Sequence, residues 1–188
     1  LAASGAPSLA LAGYCMGGLF ALLHVATFDD PRVKNLVTIG APVNFEEMGV
    51  ISVATRFGMP FLDAILGVIG NVPGELSSLV FRLFGGMRAV TRYGELLFRL
   101  YDEEYVRAFD SVDTWMREFI RYPKEAFRQM MREVVHGNKL GKNELTFGGR
   151  VADLRRVTCP LLAFAGESDN VATPSSTRGI LELLASTD

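Results

Sequence analysis

The sequence predicts an α/β fold built on a parallel sheet. Two short apolar runs, at residues 8–12 and Val33–Ile39, have the length and composition of buried strands. Between them, residues 18–28 follow a helical pattern of apolar side chains. Strands that alternate with helices are typical of parallel sheets covered by helices. We therefore expect both runs to be parallel strands of one sheet.

The pattern changes near residue 45 and returns near residue 150. Residues 45–150 are apolar and helical, without clear strand–helix alternation, and this segment is far longer than an ordinary loop. The strand pattern resumes at 161–165, and a further helical pattern covers 174–184. We therefore expect a core segment 1–44, a helical cap or lid insertion 45–150, and a second core segment 151–188.

Two stretches of the insertion are informative. Residues 61–72 are hydrophobic enough to raise the question of a membrane, but the run is short and contains Asp63 and Gly67, so we expect no transmembrane segment. We favour a buried helix there, and an exposed apolar lid or contact surface is the alternative. Residues 118–135 have the mixed charge of a helix, which Pro123 splits or restarts.

Length, charge and cysteine content narrow the class of protein. The chain has 188 residues and a net charge of −2, which allows a sizeable core and does not indicate nucleic-acid binding. Its 2 cysteines do not suggest a disulfide framework, so we expect a reducing, cytoplasmic setting. We also expect no metal and no cofactor. The chain begins with Leu1 and opens almost directly on the motif described next, which indicates a fragment.

The most informative motif is the hexapeptide Gly13-Tyr14-Cys15-Met16-Gly17-Gly18. It follows a strand pattern and precedes a helical pattern, and the order strand, Gly-x-nucleophile-x-Gly, helix is the nucleophile elbow of the α/β-hydrolase fold. We therefore expect a partial α/β-hydrolase core in which cysteine replaces the usual serine. We expect glycine at Gly13 and Gly17 because neighbouring backbone passes too close for a Cβ atom.

Cys15 is the candidate nucleophile. The helix that follows it points N-terminal amides at the thiol, and these amides and the helix dipole favour negative charge on a thiolate or a developing oxyanion. The backbone N–H of Met16 is the expected first oxyanion-hole donor, since it follows the nucleophile. A free cysteine is more often a small core residue. That interpretation is the one we favour for Cys159, which lies outside any elbow.

Asp169 is the candidate acid partner. In the α/β-hydrolase fold the nucleophile, acid and histidine follow one another along the chain, and Asp169 comes after a later strand pattern. The alternative for Asp169 is a solvated turn residue or a helix cap. We expect His24 to be structural and His136 to lie at a helix C-cap. The catalytic histidine is therefore expected beyond Asp188, and the second oxyanion donor before the first residue.

A second set of residues runs from Trp115 through Asp169 and closes on Val171. It comprises Phe127-Arg128-Gln129, Asn138-Lys139-Leu140, Gly148-Gly149-Arg150-Val151, Asp153-Leu154, Cys159-Pro160 and Gly166-Glu167-Ser168-Asp169-Asn170-Val171. Together with the elbow, these residues resemble the polyhydroxyalkanoate synthase family, which has a cysteine in a lipase-like box. The pattern is most similar to the class with a short catalytic subunit that works with a second protein. Asn170 departs from it, since the family commonly has histidine there.

The resemblance implies an acyltransferase that polymerises 3-hydroxyacyl-CoA thioesters into polyhydroxyalkanoate and releases free CoA. Cys15 would carry the growing chain as a thioester, and Asp169 would assist the histidine or the incoming hydroxyl. The coenzyme A thioester is then a substrate. The implied partner is a second synthase subunit or a second copy in a homodimer, in the cytoplasm or at the polyester granule surface. A large apolar insertion over the site would exclude water from the intermediate.

Two other functions fit some of the same residues. A cysteine hydrolase similar to dienelactone hydrolase also has a Gly-x-Cys-x-Gly elbow, but that family lacks a large insertion between nucleophile and acid. A degenerate, non-catalytic scaffold on the granule would retain the apolar insertion. An acyl-CoA analogue distinguishes the enzyme from the scaffold, because only the enzyme forms an adduct at Cys15.

Overall fold

The computed structural model describes residues 5–84 and 87–184. The strands are β1 (Leu9–Tyr14), β2 (Val33–Ile39), β3 (Thr146–Phe147), β4 (Arg150–Val151) and β5 (Leu161–Phe164). The α-helices are α1 (Met16–Phe28), α2 (Val50–Ile69), α3 (Gly74–Phe84), α4 (Met87–Phe98), α5 (Glu103–Arg117), α6 (Lys124–Gln129) and α7 (Pro174–Leu183). A π-helical segment, Met130–His136, continues α6, and 3₁₀ turns cover Phe45–Glu47 and Leu154–Arg156.

Strands β1, β2 and β5 form a parallel sheet in the order β1-β2-β5. Gly13 of β1 lies opposite Thr38 of β2, and Thr38 lies opposite Ala163 of β5. β2 therefore lies between the strand that precedes Cys15 and the strand that precedes Asp169. The parallel sheet and its alternation with helices confirm the predicted α/β class, and β2 has the predicted bounds.

Helix α1 follows β1 directly and packs on the sheet. Leu22 and Ala26 of the helix are fully buried, and Leu36 of β2 is 1% exposed. Burying one leucine side chain contributes about 1.5–3 kcal/mol, so this layer anchors the β1–α1 connection firmly. The helix predicted at 18–28 is confirmed, with its start at Met16.

The chain divides into two compact units. One consists of the residues up to Phe57 together with those from Met130 onward, and it contains the parallel sheet. The other, Gly58–Gln129, is helical. The insertion expected at 45–150 extends beyond this helical unit on both sides, and its limits stay a prediction.

A buried carboxylate joins three helices of the helical unit. Asp113 of α5 is 6% exposed. It accepts hydrogen bonds from Arg82 of α3 (3.2 Å) and from the Tyr93 hydroxyl of α4 (3.3 Å), and it forms a 2.7 Å ion pair with Arg117. A buried charge is costly unless it is paired and hydrogen-bonded, and here the pairing ties α3, α4 and α5 together.

Helix α2 is more exposed than expected. Within the apolar run 61–72, the helix buries Leu62 and Leu66, whereas Phe61 is 64% exposed and Val68 is 89% exposed. The favoured interpretation of this run as a buried helix is therefore wrong. Apolar residues occupy more than one face of the helix, and only one stripe of them can pack against its neighbours.

The stretch Ile51–Ile69 of α2 is long and apolar enough to cross a membrane, by length and composition alone. It also contains Arg56, Pro60 and Asp63. One such helix is weak evidence, since helices of water-soluble proteins pass the same test, and the expectation of no transmembrane segment stays a prediction.

The helical stretch predicted at 118–135 begins later than expected. Helix α5 ends at Arg117, and α6 begins only at Lys124. The carbonyl of Pro123 accepts the N–H of Phe127 (2.9 Å), so this proline stands at the start of α6. Proline has no N–H to donate within a helix, and it is therefore favoured at a helix start, where no intrahelical donor is needed. Pro123 restarts the helix rather than splitting it.

A two-stranded hairpin, β3–β4, lies where the segment 45–150, predicted to be helical, meets the second core segment. Its turn contains Gly148 (φ 56°) and Gly149 (φ 77°). Two successive residues with positive φ are the signature of a tight hairpin turn, and adjacent glycines favour it. The Gly-Gly pair was the available signal, and the short strands flanking it are too brief to show an alternating pattern.

Candidate active site

The carboxyl ends of β1, β2 and β5 bring three loops to one edge of the sheet. The Cys15 N–H donates to the Ile39 carbonyl at the end of β2 (2.7 Å), and the Gly40 N–H donates to the Phe164 carbonyl at the end of β5 (2.8 Å). Asp169 follows β5 after a short turn. Cys15 and Asp169 therefore lie at the carboxyl edge of the sheet, where open α/β sheets place functional residues.

The backbone of Cys15 has the strained conformation of a nucleophile elbow. Its φ is 51° and its ψ is −118°, a region that costs an L residue about 1–3 kcal/mol. The Cys15 carbonyl accepts hydrogen bonds from the N–H groups of Gly18 (3.0 Å) and Leu19 (3.2 Å). The half-buried thiol makes no capping bond to the helix. Hydrogen bonds from the Cys15 N–H and to the Cys15 carbonyl thus maintain the strained backbone. The sulfur makes no hydrogen bond with the residues that the structure describes.

Two glycines of the elbow are sterically required. A Cβ atom on Gly13 would lie 2.4 Å from the Gly17 carbonyl oxygen, and a Cβ atom on Gly18 would lie 2.7 Å from the Ala41 Cβ. A Cβ atom on Gly17 would meet nothing within 4 Å. The steric reason predicted for Gly13 is confirmed, and that predicted for Gly17 is wrong. Gly17 supplies the backbone that crowds Gly13, and the second crowded position is Gly18, which the Gly-x-Cys-x-Gly pattern does not include.

The first amides of α1 are unused among the residues that the structure describes. The first N–H groups of a helix have no intrahelical partner, and those of Met16 and Gly17 donate no hydrogen bond within this part of the chain. Such groups carry partial positive charge and favour an anion. The N–H of Met16 is therefore available beside the nucleophile, as an oxyanion donor must be.

The carboxylate of Asp169 is oriented by the turn that follows it. Its Oδ1 accepts the N–H groups of Val171 (2.8 Å) and Ala172 (3.0 Å). A Cβ atom on Gly40 (φ 57°) would lie 4.0 Å from Asp169 Oδ2 and 4.0 Å from Cε2 of Tyr14. One oxygen therefore holds the turn, while the other faces the loop after β2, next to the elbow. The acid and turn interpretations of Asp169 are compatible in this geometry.

Neither histidine belongs to the elbow or to the Asp169 turn. His24 is about 13 Å along α1 from Cys15 at 1.5 Å per residue, and its Nε2 is 3.6 Å from Asp30 Oδ2. The guanidinium of Arg32 binds the same carboxylate and, with a smaller contribution from His24, holds the pKa of Asp30 well below its ordinary value. His136 is exposed at the end of the π-helical segment.

Cys159 lies at the opposite end of β5 from Asp169. It precedes Pro160 at the start of the strand and is half-buried. Burial raises the pKa of the Cys159 thiol, so less of it is thiolate at neutral pH. Cys159 is not among the buried core residues, so its core role stays a prediction, and its surroundings contrast with the helix terminus beside Cys15.

The parallel sheet, the elbow at Cys15 and the Asp169 turn define an α/β-hydrolase-like core. No protein-family model matches the chain. It is 32% identical over 189 residues to the poly(3-hydroxyalkanoate) polymerase subunit PhaC of Haloferax mediterranei, 30% over 183 residues to that of Synechocystis sp., and 28% over 187 residues to that of Allochromatium vinosum. These matches cover 98%, 94% and 99% of this chain. The chain therefore belongs to the polyhydroxyalkanoate polymerase family.

The chain spans only part of each of these relatives. It covers 38% of the Haloferax protein, 48% of the Synechocystis protein and 52% of the Allochromatium protein. The complete relatives therefore contain segments that have no counterpart among these residues.

Proposed function

We propose that the protein containing this chain is an acyltransferase that polymerises 3-hydroxyacyl-CoA thioesters through an acyl intermediate on Cys15. The elbow carries the proposal, because it combines a strained nucleophile, a helix N-terminus and the unused N–H of Met16. Similarity to proteins named poly(3-hydroxyalkanoate) polymerase supports the nature of the product. Cysteine suits the substrate, since a thiolate is a strong nucleophile toward thioesters.

In the first step, the thiolate of Cys15 attacks the thioester carbonyl of the acyl-CoA. The negative charge that develops on the carbonyl oxygen is stabilised by the N–H of Met16 and a second donor from outside this chain. The bond to the CoA sulfur breaks, CoA leaves as its thiolate, and the acyl group stays on Cys15. The dipole of α1 favours the anionic nucleophile before the attack and the oxyanion during it.

In the second step, the hydroxyl of a 3-hydroxyacyl group attacks the Cys15 thioester. A new ester bond forms, the Cys15 thiolate is released, and the hydroxyl proton passes to a histidine base. That histidine comes from a segment outside this chain, and Asp169 Oδ2 orients it and stabilises its charged form. The turn bonds from Val171 and Ala172 to Oδ1 pre-set the carboxylate for this role. These residues are thus inactive without the histidine.

The similarity also supports a partner and a location for the protein. The matched relatives are named as polymerase subunits. By analogy, the protein containing this chain would assemble with a second synthase subunit or with a second copy of itself. The protein would act in the cytoplasm, at the surface of the polyester granule. Several large apolar side chains of the helical unit are exposed, which suits contact with an apolar surface or partner.

The test is acylation of the whole protein by a 3-hydroxyacyl-CoA such as 3-hydroxybutyryl-CoA. We expect CoA release, polymer formation and an acyl adduct on the Cys15 peptide by mass spectrometry. Cys15→Ala should reduce CoA release below about one thousandth of the wild-type rate, as removal of a nucleophile does. The matched control, Cys159→Ala, should keep the wild-type rate within about twofold, since it lies away from the elbow.

The same experiment separates the other functions. Free hydroxy acid without polymer, still dependent on Cys15, would indicate a cysteine hydrolase. Absence of both an adduct and CoA release in the whole protein would indicate a non-catalytic scaffold. Either result contradicts the polymerase proposal.

A further inference from the structure

Asn138 joins the end of the π-helical segment to the loop after β2. It is 3% exposed, and its backbone is left-handed with a φ of 49°. Its Oδ1 accepts the Phe45 N–H (2.8 Å), and its Nδ2 donates to Asn44 Oδ1 (2.8 Å). Gly141 leaves room for this amide, because a Cβ atom there would lie 2.9 Å from Asn138 Oδ1. The buried amide is thus bonded at both ends, as buried polar groups are.

The 3₁₀ turn Phe45–Glu47, which is bonded to Asn138, is also hydrogen-bonded to the start of α7. The Glu47 carbonyl accepts the Thr173 hydroxyl (2.8 Å), and the Asn44 N–H donates to the Ser176 carbonyl (3.0 Å). Thr173 is also the N-cap of α7, where its Oγ1 accepts the Ser176 N–H (3.1 Å). The start of α7 is therefore held by a turn whose other end is bonded to the buried amide.

The start of α7 follows the Asp169 turn directly. Ala172 is 2% exposed, donates to Asp169 Oδ1 and immediately precedes the N-cap Thr173. A shift of Thr173 would move the Ala172 N–H and release the carboxylate from its orientation. We propose that Asn138 is a positioning residue for Asp169, acting through the Phe45–Glu47 turn. The catalytic part of this inference rests on the proposed function, in which Asp169 orients the base.

Two substitutions separate the side chain of Asn138 from its backbone. Asn138→Gly keeps the left-handed backbone without strain and removes both hydrogen bonds. Asn138→Asp keeps the acceptor for the Phe45 N–H and removes the donor to Asn44. The matched control is Asn143→Gly, because Asn143 is also left-handed (φ 56°) and its Oδ1 accepts the Leu154 N–H (2.8 Å).

The first measurement is amide hydrogen exchange in the whole protein, which needs no activity. In Asn138→Gly, the Val171 and Ala172 amides should exchange about tenfold faster, the effect of losing one or two net hydrogen bonds. Asn138→Asp should give an intermediate rate. Asn143→Gly should accelerate exchange at Leu154 and leave Val171 and Ala172 unchanged. Unchanged exchange in Asn138→Gly, or an equal increase in the control, would overturn the positioning role.

The second measurement is steady-state kinetics with the acyl-CoA. Asn138→Gly should lower kcat about tenfold and leave KM within about twofold, since Asn138 does not touch the substrate. Adding Asn138→Gly to Asp169→Ala should cause no loss beyond about twofold, because both act through one carboxylate. Losses that multiply would contradict the inference. A wild-type protein without turnover would instead remove the proposed function, and hydrogen exchange would still decide whether Asn138 holds the turn.

Discussion

The Cys15 N–H donates a 2.7 Å hydrogen bond to the Ile39 carbonyl, so the β1–β2 ladder continues into the elbow. The strained residue is thus bonded to the central strand of the sheet rather than to a loop. Strain of about 1–3 kcal/mol persists only where the surrounding structure over-determines it. The buried α1–sheet layer and this hydrogen bond together meet that condition.

Elbow glycines differ in what they tolerate. Gly13→Ala should destabilise the protein by about 1–3 kcal/mol, because the new Cβ would overlap the Gly17 carbonyl and force the backbone apart. Gly17→Ala should be neutral or should stabilise α1 by up to about 1 kcal/mol, since alanine is the better helix former. Urea unfolding of both variants checks this. Equal losses would contradict the steric account of the elbow.

Thiol reactivity should differ between the two cysteines. At neutral pH, iodoacetamide should modify Cys15 at least about tenfold faster than Cys159, because burial raises the pKa of the Cys159 thiol while Cys15 lies at a helix N-terminus. Peptide mass spectrometry over time measures both rates in one sample. The Cys15→Ala variant supplies the slow Cys159 rate alone. Faster labelling of Cys159 would refute the assignment.

Loss of the buried Asp113 carboxylate should destabilise the helical unit. Asp113→Ala removes the common partner of Arg82, Arg117 and Tyr93 and should cost about 1–3 kcal/mol. Asp110→Ala, on the same helix but exposed, should change stability by less than about 0.5 kcal/mol. Hydrogen exchange of α5 amides reports the effect on this unit. Similar exchange in both variants would show that the network does not stabilise it.

The ion pair between Lys142 and Glu46, which lies in the Phe45–Glu47 turn, should weaken in acid. The Lys142 ammonium, 2.9 Å from Glu46, holds the pKa of this carboxyl below its ordinary value of 4.5. A lowered folded-state pKa stabilises the fold above the ordinary pKa, and that contribution is lost as pH falls through the folded value. Lys142→Met should raise the Glu46 pKa and remove this contribution at neutral pH, as NMR titration and unfolding at pH 7 and pH 3 would show. A pKa that does not move in Lys142→Met would sink this prediction.

Local patterns explain the correct predictions. The bounds of β2, the course of α1 and the elbow each depend on residues close in sequence, where apolar periodicity and glycine spacing report structure directly. Pro123 shows the limit of prediction from local pattern. A proline indicates a helix boundary, but it does not show whether the residues before it or those after it are helical. In α2, Phe61 and Leu66 are both apolar, and only packing decides which is buried.

A parallel α/β core with a cysteine elbow and a helical insertion can be predicted from this sequence alone, because those features follow from short-range pattern. Three other features emerge only in the folded chain: Gly18 and not Gly17 is crowded, α2 exposes an apolar face, and Asn138 bonds to the loop after β2. Each of these depends on atoms contributed by distant parts of the chain. Steric contact and burial arise only when those parts meet, so no local pattern encodes them.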